Sequence, residues 1–354
     1  MGVVMKSYGV LSDSHNHDWS AFSTTLPTGV NSRLQTILDE TTRCAAEVKK
    51  AGGDTLYHGG DLFHVRGSLS PTVLNPTIDC YRQILESGIK VVINAGNHDL
   101  AGKEAARVSS AITALEGIGC RVVNAPNYGS FDDMVIIPWI ANIEELKKAI
   151  EFVDPADRPD CDLLIHAPVD GIIPGIPDHG LTWEYLDSLG YRRVFVGHYH
   201  HHKNVGGNVW SIGSLTPQTW SDVGAKSGFL ICDDKDVKWF ASHAPSFVEV
   251  TGATDPTELP LIVDGNYVRV TINSSKSSDI ETMRSYLTDC GAKGVVVLAE
   301  TKIAPTVRVG GATLKAGATL ETSIGDFIAA QSYKRQSDLA KLCGEILTTV
   351  RSAA

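Results

Sequence analysis

Short apolar runs that end in polar clusters recur along the first two hundred residues and predict buried strands that lead into loops. The runs are Tyr8–Leu11, Thr55–Tyr57, Lys90–Ile93, Asp162–Ile165 and Arg193–Val196. Between the first three lie helical stretches such as Leu34–Lys50, whose apolar residues recur at helical spacing. Strands and helices therefore alternate, which predicts an α/β (α+β) fold with a parallel or mixed sheet covered by helices.

Two further segments complete the first part of the chain. Asn208–Ile212 and Gly228–Ala241 have the apolar character of strands interrupted by turns, which argues against a pure Rossmann topology. Residues 244–265 then contain several prolines and glycines, which interrupt regular structure and predict a linker. We therefore place the end of the first domain at residue 245.

The rest of the chain predicts a small α+β domain followed by a helix. Tyr267–Ile272 and Gly294–Ala299 have the pattern of strands, and Ser278–Cys290 has that of a helix. Apolar residues at helical spacing then form the stripe of an amphipathic helix, namely Leu339, Leu342, Cys343, Ile346, Leu347 and Val350. The predicted domains are residues 1–245, 246–330 and 331–354.

Composition and charge narrow the class of protein. The 354 residues carry 31 Lys and Arg against 41 Asp and Glu, a net charge of −10, which gives no overall attraction to a phosphate backbone or an anionic membrane. This length favours two domains over one. Seven cysteines without a close C-x-x-C pair are typical of reduced cytoplasmic thiols. With no export signal or membrane span expected, we predict a cytoplasmic protein without membrane contact.

Polar clusters with metal-binding chemistry follow five of the predicted strands. They are Asp13-Ser14-His15, Gly60-Asp61-Leu62-Phe63-His64, Gly96-Asn97-His98-Asp99, His166 and Gly197-His198-Tyr199-His200. The carboxyl ends of parallel strands lie along one edge of a sheet, so these side chains can converge on one crevice. Asp, Asn and neutral His are ligands for Mn²⁺, Fe²⁺ or Zn²⁺. Each cluster alone is commonplace, but their joint occurrence beside glycines that permit tight turns predicts a metal site.

The order D-x-H, G-D, G-N-H-D, H and G-H-x-H resembles that of the calcineurin-like metallophosphoesterases and covers residues 8–200. Within that superfamily, Gly60–His64 and the predicted helix Ser70–Leu85 resemble the SbcD-type nuclease subunit of the double-strand-break repair complex. The small α+β domain and the last helix extend the resemblance over nearly the whole chain. The resemblance implies a β-sandwich flanked by helices, with a small C-terminal capping domain.

The resemblance also implies a centre of two divalent metal ions, with Mn²⁺ the expected ion and Asp61 bridging the pair. The first ion would be held by Asp13, His15, Asp61 and His200, and the second by Asp61, Asn97, His166 and His198. His98 matches the family's catalytic histidine, with Asp99 as its orienting partner. His64 matches a histidine associated with nuclease members. We expect His17 and His58, which flank these motifs, to form hydrogen bonds within loops.

By the same resemblance, the chain would act as a DNA exonuclease and endonuclease in DNA repair or recombination. Its partners would be DNA, an SbcC-type ATPase and a second copy of the chain. The last helix would either dock the ATPase or pack on its own domain, and segments 73–85 and 105–115 would form the homodimer contact. The main alternative is a small-substrate phosphodiesterase or protein phosphatase with the same metal centre. A non-enzymatic scaffold with a relic metal site would lack some of the metal ligands, and none of the expected metal ligands is missing from this sequence.

Overall fold

A computed structural model of the protein describes residues 6–100, 111–128, 133–251, 254–255, 257–299, 319–330 and 333–352. The strands are β1 (Tyr8–Leu11), β2 (Thr55–His58), β3 (Lys90–Asn94), β4 (Arg121–Val123), β5 (Asn127–Tyr128), β6 (Met134–Ile137), β7 (Asp162–His166), β8 (Arg193–Gly197), β9 (Lys203–Gly206), β10 (Val209–Ser211), β11 (Gly228–Cys232), β12 (Val237–Ala241), β13 (Phe247–Val250), β14 (Tyr267–Ile272) and β15 (Gly294–Ala299). The α-helices are α1 (Ser32–Lys50), α2 (Pro71–Glu86), α3 (Ile143–Glu151), α4 (Trp183–Ser188), α5 (Leu259–Val263), α6 (Ser277–Asp289), α7 (Leu320–Ala330) and α8 (Gln336–Ser352). Within these ranges, no helix combines the length and the apolar character needed to cross a membrane.

Two six-stranded mixed sheets form the centre of the fold. The first has the order β12-β11-β1-β2-β3-β4, in which β1 to β4 are parallel and β11 is antiparallel to both of its neighbours, β1 and β12. The second has the order β5-β6-β7-β8-β10-β9, with a parallel centre from β6 to β10 and an antiparallel strand at each edge. The predicted parallel or mixed sheet is confirmed, but there are two sheets rather than one.

The two sheets pack face to face, and helices cover their outer faces. Tyr57 and Val92 of the first sheet share a buried cluster with Leu164 and Phe195 of the second. Because side chains alternate along a strand, the neighbouring residues face outward. On the outer face of the first sheet a core lies under α1 and α2, and on the outer face of the second sheet another core lies under α3 and α4. This is a β-sandwich flanked by helices, as the resemblance implied.

The predicted elements lie close to their observed bounds. β1, β14 and β15 coincide with the predicted runs, and β2, β3, β7 and β8 each extend one residue further. Helix α1 begins after Asn31, whose side chain accepts the backbone N–H of Arg33 at 2.9 Å and that of Leu34 at 3.2 Å. The segment Gly228–Ala241, predicted as strands interrupted by turns, is a hairpin of two strands, β11 and β12.

A third sheet, with the order β13-β14-β15, has its own small core that includes Val263, Val268 and Leu287. By packing, the chain divides into one unit of residues 1–272 and 276–298 and another of residues 273–275 and 299–354. The first unit contains all three sheets, and within the second unit α7 and α8 pack against each other. The domain limits at residues 245 and 330 remain predictions.

Candidate metal centre

The five predicted clusters lie at the carboxyl ends of β1, β2, β3, β7 and β8, at one edge of the two sheets. Several of their residues have left-handed backbone conformations: φ is 49° at Asp13, 45° at His15, 55° at Asp61 and 108° at His198. Such angles are uncommon for residues other than glycine and are a recurrent feature of functional sites. They turn each loop sharply at the strand end, which directs the side chains into a common crevice.

Glycines keep the backbone clear of the buried side chains. A Cβ atom at Gly96 would lie 2.2 Å from Oδ1 of Asp61, and one at Gly60 would lie 2.3 Å from Nδ1 of His166. Both distances are far shorter than a van der Waals contact. The glycines predicted beside the clusters are therefore required by close approach, and φ at Gly60 is also positive, at 112°.

The first group of candidate ligands consists of Asp13, His15 and His200, whose ligand atoms lie within 4.8 Å of one another. Oδ2 of Asp13 accepts hydrogen bonds from Ser12 Oγ at 2.6 Å and from the backbone N–H of His198 at 3.0 Å. Oδ1 of Asp13 is buried and has no hydrogen-bond partner among the residues that the structure describes. A buried carboxylate oxygen left in this state is suited to a cation.

The second group consists of Asp61, His166 and His198, again within 4.8 Å. Oδ1 of Asn97 lies in the same group, 3.1 Å from Nε2 of His166 and 2.9 Å from Nδ1 of His198. Asp61 Oδ2 lies 3.5 Å from Nε2 of His166 and 3.7 Å from Nε2 of His15, which belongs to the first group. The carboxylate of Asp61 therefore stands between the two groups.

Hydrogen bonds at Nδ1 leave Nε2 of two of these histidines available as a ligand. Nδ1 of His166 lies 2.9 Å from the carbonyl oxygen of Gly59, and Nδ1 of His200 lies 2.9 Å from Oδ1 of Asp222. Since these oxygens only accept, Nδ1 carries a proton in each ring, and Nε2 is the nitrogen that can bind a metal ion once it has lost its own proton. Metal-binding histidines commonly have such a partner on the second nitrogen.

The buried ionisable groups of the centre strongly shift one another's pKa values. Burial alone would lower the pKa of His166, but the carboxylates of Asp61 and Asp13 outweigh it and raise that pKa to about 9. Burial opposes ionisation of Asp61 as well, yet the adjacent His166 and His15 hold its pKa well below the usual range. Burial and the charge of Asp61 raise the pKa of Asp99 to about 7. Several carboxylates thus share one buried space, where cations relieve their repulsion.

The predicted catalytic residue His98 lies beside Asp61. Its backbone N–H donates to Oδ1 of Asp61 at 2.7 Å, and its Nδ1 lies 2.7 Å from the carbonyl oxygen of His64. Asp99 was predicted to orient the His98 ring, but its Oδ2 accepts the backbone N–H groups of Asp61 at 2.8 Å and Gly96 at 2.9 Å. Asp99 therefore orders the loops, and the carbonyl of His64 orients the imidazole of His98.

His64 lies between the candidate ligands and an aromatic group at the rim. Its Nδ1 is 3.4 Å from Nδ1 of His15, and its ring centroid is 4.6 Å from that of Trp19 and 5.1 Å from that of His17. Burial and the nearby His17 and His98 lower the pKa of His64 to about 4. The structure thus brings the predicted catalytic and metal-binding residues together at one sheet edge.

Sequence reasoning did not identify the residues that support the ligands. Asp222, which holds His200, lies in a short 3₁₀ helix, Trp220–Asp222, and its Oδ2 accepts the backbone N–H groups of Gln218 at 2.8 Å and Thr219 at 3.0 Å. The only signal was the Thr219-x-x-Asp222 capping box, which predicts a helix start but not a contact with His200.

Three features of the centre fit a site for two divalent cations. The carboxylate of Asp61 lies between two groups of histidines, Oδ1 of Asp13 has no hydrogen-bond partner among the described residues, and the imidazoles of His166 and His200 are oriented. These features, on a sandwich of two mixed sheets, are those of a phosphoesterase that works with metals. The sequence model of the family described as calcineurin-like phosphoesterase matches residues 7–202, more than half of the chain. The chain belongs to this family.

Among known proteins, the exonuclease subunit 1 of Enterobacteria phage T4 is 26% identical to this chain over 190 residues. The match covers 52% of this chain and 54% of that protein, so it spans about half the length of the relative. Two solved structures also align with the fold. A dimetal phosphatase from Danio rerio has 12% identity and a TM-score of 0.39, with 68% of this chain and 97% of that chain covered. The nuclease MPE from Pseudomonas putida has 15% identity and a TM-score of 0.30, with 66% and 87% covered.

Proposed function

We propose that this phosphoesterase hydrolyses DNA phosphodiesters with two metal ions, as an exonuclease and endonuclease in DNA repair or recombination. The observation that carries the proposal is the position of His64. This histidine, which the family resemblance associates with nuclease members, lies in contact with His15 and supplies the carbonyl that orients His98. The sequence similarity to a protein named as an exonuclease subunit supports the same substrate class.

In this proposal the first metal ion is held by Asp13, His15, Asp61 and His200, and the second by Asp61, Asn97, His166 and His198. Mn²⁺ is the ion we propose, because the donors are oxygen and imidazole. When bound, two such ions supply charge neutralisation and an activated water for attack on phosphorus. They also add positive charge where the DNA backbone binds, which offsets the net charge of −10 locally.

His98 is proposed to donate a proton to the leaving oxygen. Because its Nδ1 is bonded to the carbonyl of His64, Nε2 is the ring atom left to exchange a proton with the substrate. Asp99 holds the backbone of Asp61 and Gly96 in place by accepting their N–H groups. Asp99 thus positions the loops and His98 moves a proton, and the two cations, when bound, would hold the phosphate.

An SbcC-type ATPase is the proposed partner, because an acidic chain needs a second source of affinity for DNA. The relative from phage T4 is named as a subunit. Leu342 and Ile346 on α8 are 53% and 54% exposed and could enter a groove of such a partner.

We also propose a homodimer formed through α2 and the segment at 105–115. Val73, Cys80 and Ile84 of α2 face the core, while Leu74 and Ile78 are partly buried against it. Residues 105–110 of the second segment lie outside the described residues, and Ile112 and Leu115 are buried.

The function is tested by substrate preference. Release of nucleotides from duplex DNA is measured with Mn²⁺ beside turnover of bis-p-nitrophenyl phosphate and of p-nitrophenyl phosphate. We expect cleavage of DNA and of the diester and little turnover of the monoester, with all activity lost in excess EDTA. An Asp61→Ala chain purified in parallel controls for a contaminating nuclease. With DNA left intact, turnover of the diester would instead support a small-substrate phosphodiesterase, and turnover of the monoester would support a protein phosphatase.

A further inference from the structure

Three histidines of the centre form a group of their own. His15, His64 and His98 can each offer a ring nitrogen within 4.8 Å of the others, and no carboxylate belongs to the group. The ring of His15 meets that of His98 at a centroid distance of 4.8 Å and that of His64 at 5.3 Å. A nitrogen of each ring is therefore close enough to the other two for one ion to contact all three.

The spacing of two ring nitrogens fits a tetrahedral metal ion. Nδ1 of His15 lies 3.4 Å from Nδ1 of His64, which is long for a hydrogen bond. With Zn–N bonds of about 2.0–2.1 Å, two ligand nitrogens of a tetrahedral zinc ion are about 3.3–3.4 Å apart. The two imidazoles therefore have the separation of two ligands before any ion binds.

The third imidazole has the supporting contact of a metal ligand. Nδ1 of His98 donates to the carbonyl oxygen of His64 at 2.7 Å, which leaves the lone pair on Nε2. A backbone carbonyl on the second nitrogen is the usual partner of a histidine that binds metal. Nε2 is therefore the nitrogen of His98 that is available to bind a metal ion.

We propose that His15, His64 and His98 form a third cation site, distinct from the pair of sites proposed above and selective for a borderline ion such as Zn²⁺. Three imidazoles without a carboxylate favour Zn²⁺ over Mn²⁺ or Mg²⁺. His15 is shared, because its Nε2 lies 3.7 Å from Asp61 while its Nδ1 faces His64. When metal ions bind both Nε2 and Nδ1 of His15, the imidazole loses its remaining proton. This proton passes to solvent as the third ion binds.

The consequence for activity rests on the proposed function. Zn²⁺ in this site occupies His98 and His64, so neither can act on the phosphodiester. The third site is therefore inhibitory, and excess Zn²⁺ stops an enzyme that two metal ions activate. The binding of zinc itself does not depend on which substrate the enzyme cleaves.

The binding is tested on the full-length chain by equilibrium dialysis against buffered Zn²⁺, with metal content measured by mass spectrometry. We expect three zinc ions per wild-type chain and two in His64→Ala. The exposed His243 supplies the matched control, and His243→Ala should retain all three. Asp61→Ala should lose the paired ions and keep the one bound by imidazoles alone, which separates this site from the proposed catalytic pair. Two zinc ions in the wild type, or three in His64→Ala, would overturn the proposal.

The inhibitory role is tested with Mn²⁺-loaded enzyme and bis-p-nitrophenyl phosphate, at rising concentrations of Zn²⁺. Loss of His64 should raise the concentration for half inhibition by more than about tenfold, since even outer-sphere partners of a ligand are worth about 10–100-fold in metal affinity. Equal inhibition of wild type and His64→Ala would place the inhibition at the paired sites and would refute the inhibitory role. Failure to cleave DNA would refute the proposed function and leave the zinc count unaffected.

Discussion

Ser14 Oγ lies 2.9 Å from Nε2 of His58, and this contact joins the loop after β1 to the end of β2. The backbone N–H of Gly60 donates to Nδ1 of His58 at 3.2 Å, so the ring proton lies on Nε2 and is donated to Ser14. Ser14 Oγ in turn donates to the carbonyl oxygen of Leu62 at 3.2 Å. The two loops that carry Asp13 and Asp61 are thus fastened by a fully bonded network that contains no candidate ligand.

We expect His58→Ala to weaken metal binding although His58 touches none of the candidate ligands. The substitution leaves the buried N–H of Gly60 without its partner, which costs about 1–3 kcal/mol, and removes the hydrogen bond that Ser14 Oγ accepts from His58. Isothermal titration with Mn²⁺ should show a loss of affinity on the order of tenfold or more. Ser14→Ala should reproduce part of this loss. An unchanged affinity in both variants would show that the network is not needed to position the ligands.

The same residue predicts a dependence of stability on pH in the metal-free chain. Burial lowers the pKa of His58 from 6.5 to about 3. Stability that depends on the neutral ring is fully present above pH 6.5 and is lost as the pH falls from 6.5 toward 3. The difference in unfolding free energy between wild type and His58→Asn should therefore shrink over this range, as measured by urea denaturation in EDTA. A difference that stays constant from pH 7 to pH 4 would contradict the prediction.

Asp61→Ala should remove both proposed catalytic ions. Its carboxylate is the group that stands between the two clusters, 3.5 Å from His166 and 3.7 Å from His15. Metal analysis after loading with Mn²⁺ should find neither ion, whereas Asp13→Ala should retain the second. If Asp61→Ala holds two Mn²⁺ ions per chain, Asp61 does not bridge them.

His98→Ala should separate chemistry from metal binding. We expect both Mn²⁺ ions to remain and the rate of DNA cleavage to fall by about 10²–10⁴-fold, the usual effect of removing acid–base assistance. Single-turnover measurements at saturating enzyme isolate the chemical step. Loss of Mn²⁺ from this variant would assign His98 to the metal pair instead.

His64→Ala tests whether the site is adapted to DNA. Because His64 joins Trp19 and His17 at the rim, we expect a larger loss on DNA than on bis-p-nitrophenyl phosphate. His17→Ala is the matched variant at the same rim, and both variants keep the backbone carbonyl of residue 64 that orients His98. An equal loss on both substrates would argue against a nuclease-specific role for His64.

Much of the fold and the location of the site follow from the sequence, because buried strands are short apolar runs and ligands follow them directly. Val10 and Tyr57 lie in the short apolar runs that predicted strands, and Asp61 follows its strand as expected. The division into two sheets was implied by the family resemblance but does not follow from the apolar runs themselves, because a strand such as β7 is equally apolar in either sheet. Pairing is decided by contacts between residues far apart in sequence.

The supporting contacts could not be predicted for a related reason. His58 was expected to form hydrogen bonds within loops, but its partner Ser14, 44 residues away along the chain, could not be named from the sequence. Asp222 lies 22 residues beyond His200 and outside every motif. Hydrogen-bonding capacity is visible in a sequence, whereas the identity of the distant partner depends on the assembled sheets.

The left-handed backbone at Asp13, His15 and Asp61 lowers the stability of the fold, although the same residues are proposed to bind metal. Each such residue costs on the order of 1–3 kcal/mol of conformational strain, which glycine would relieve. Selection of variants for heat resistance alone would therefore enrich glycine at these positions and yield sturdier chains that no longer bind metal. Libraries built to stabilise this protein need an activity screen from the first round, because heat resistance and metal binding make opposite demands on the same residues.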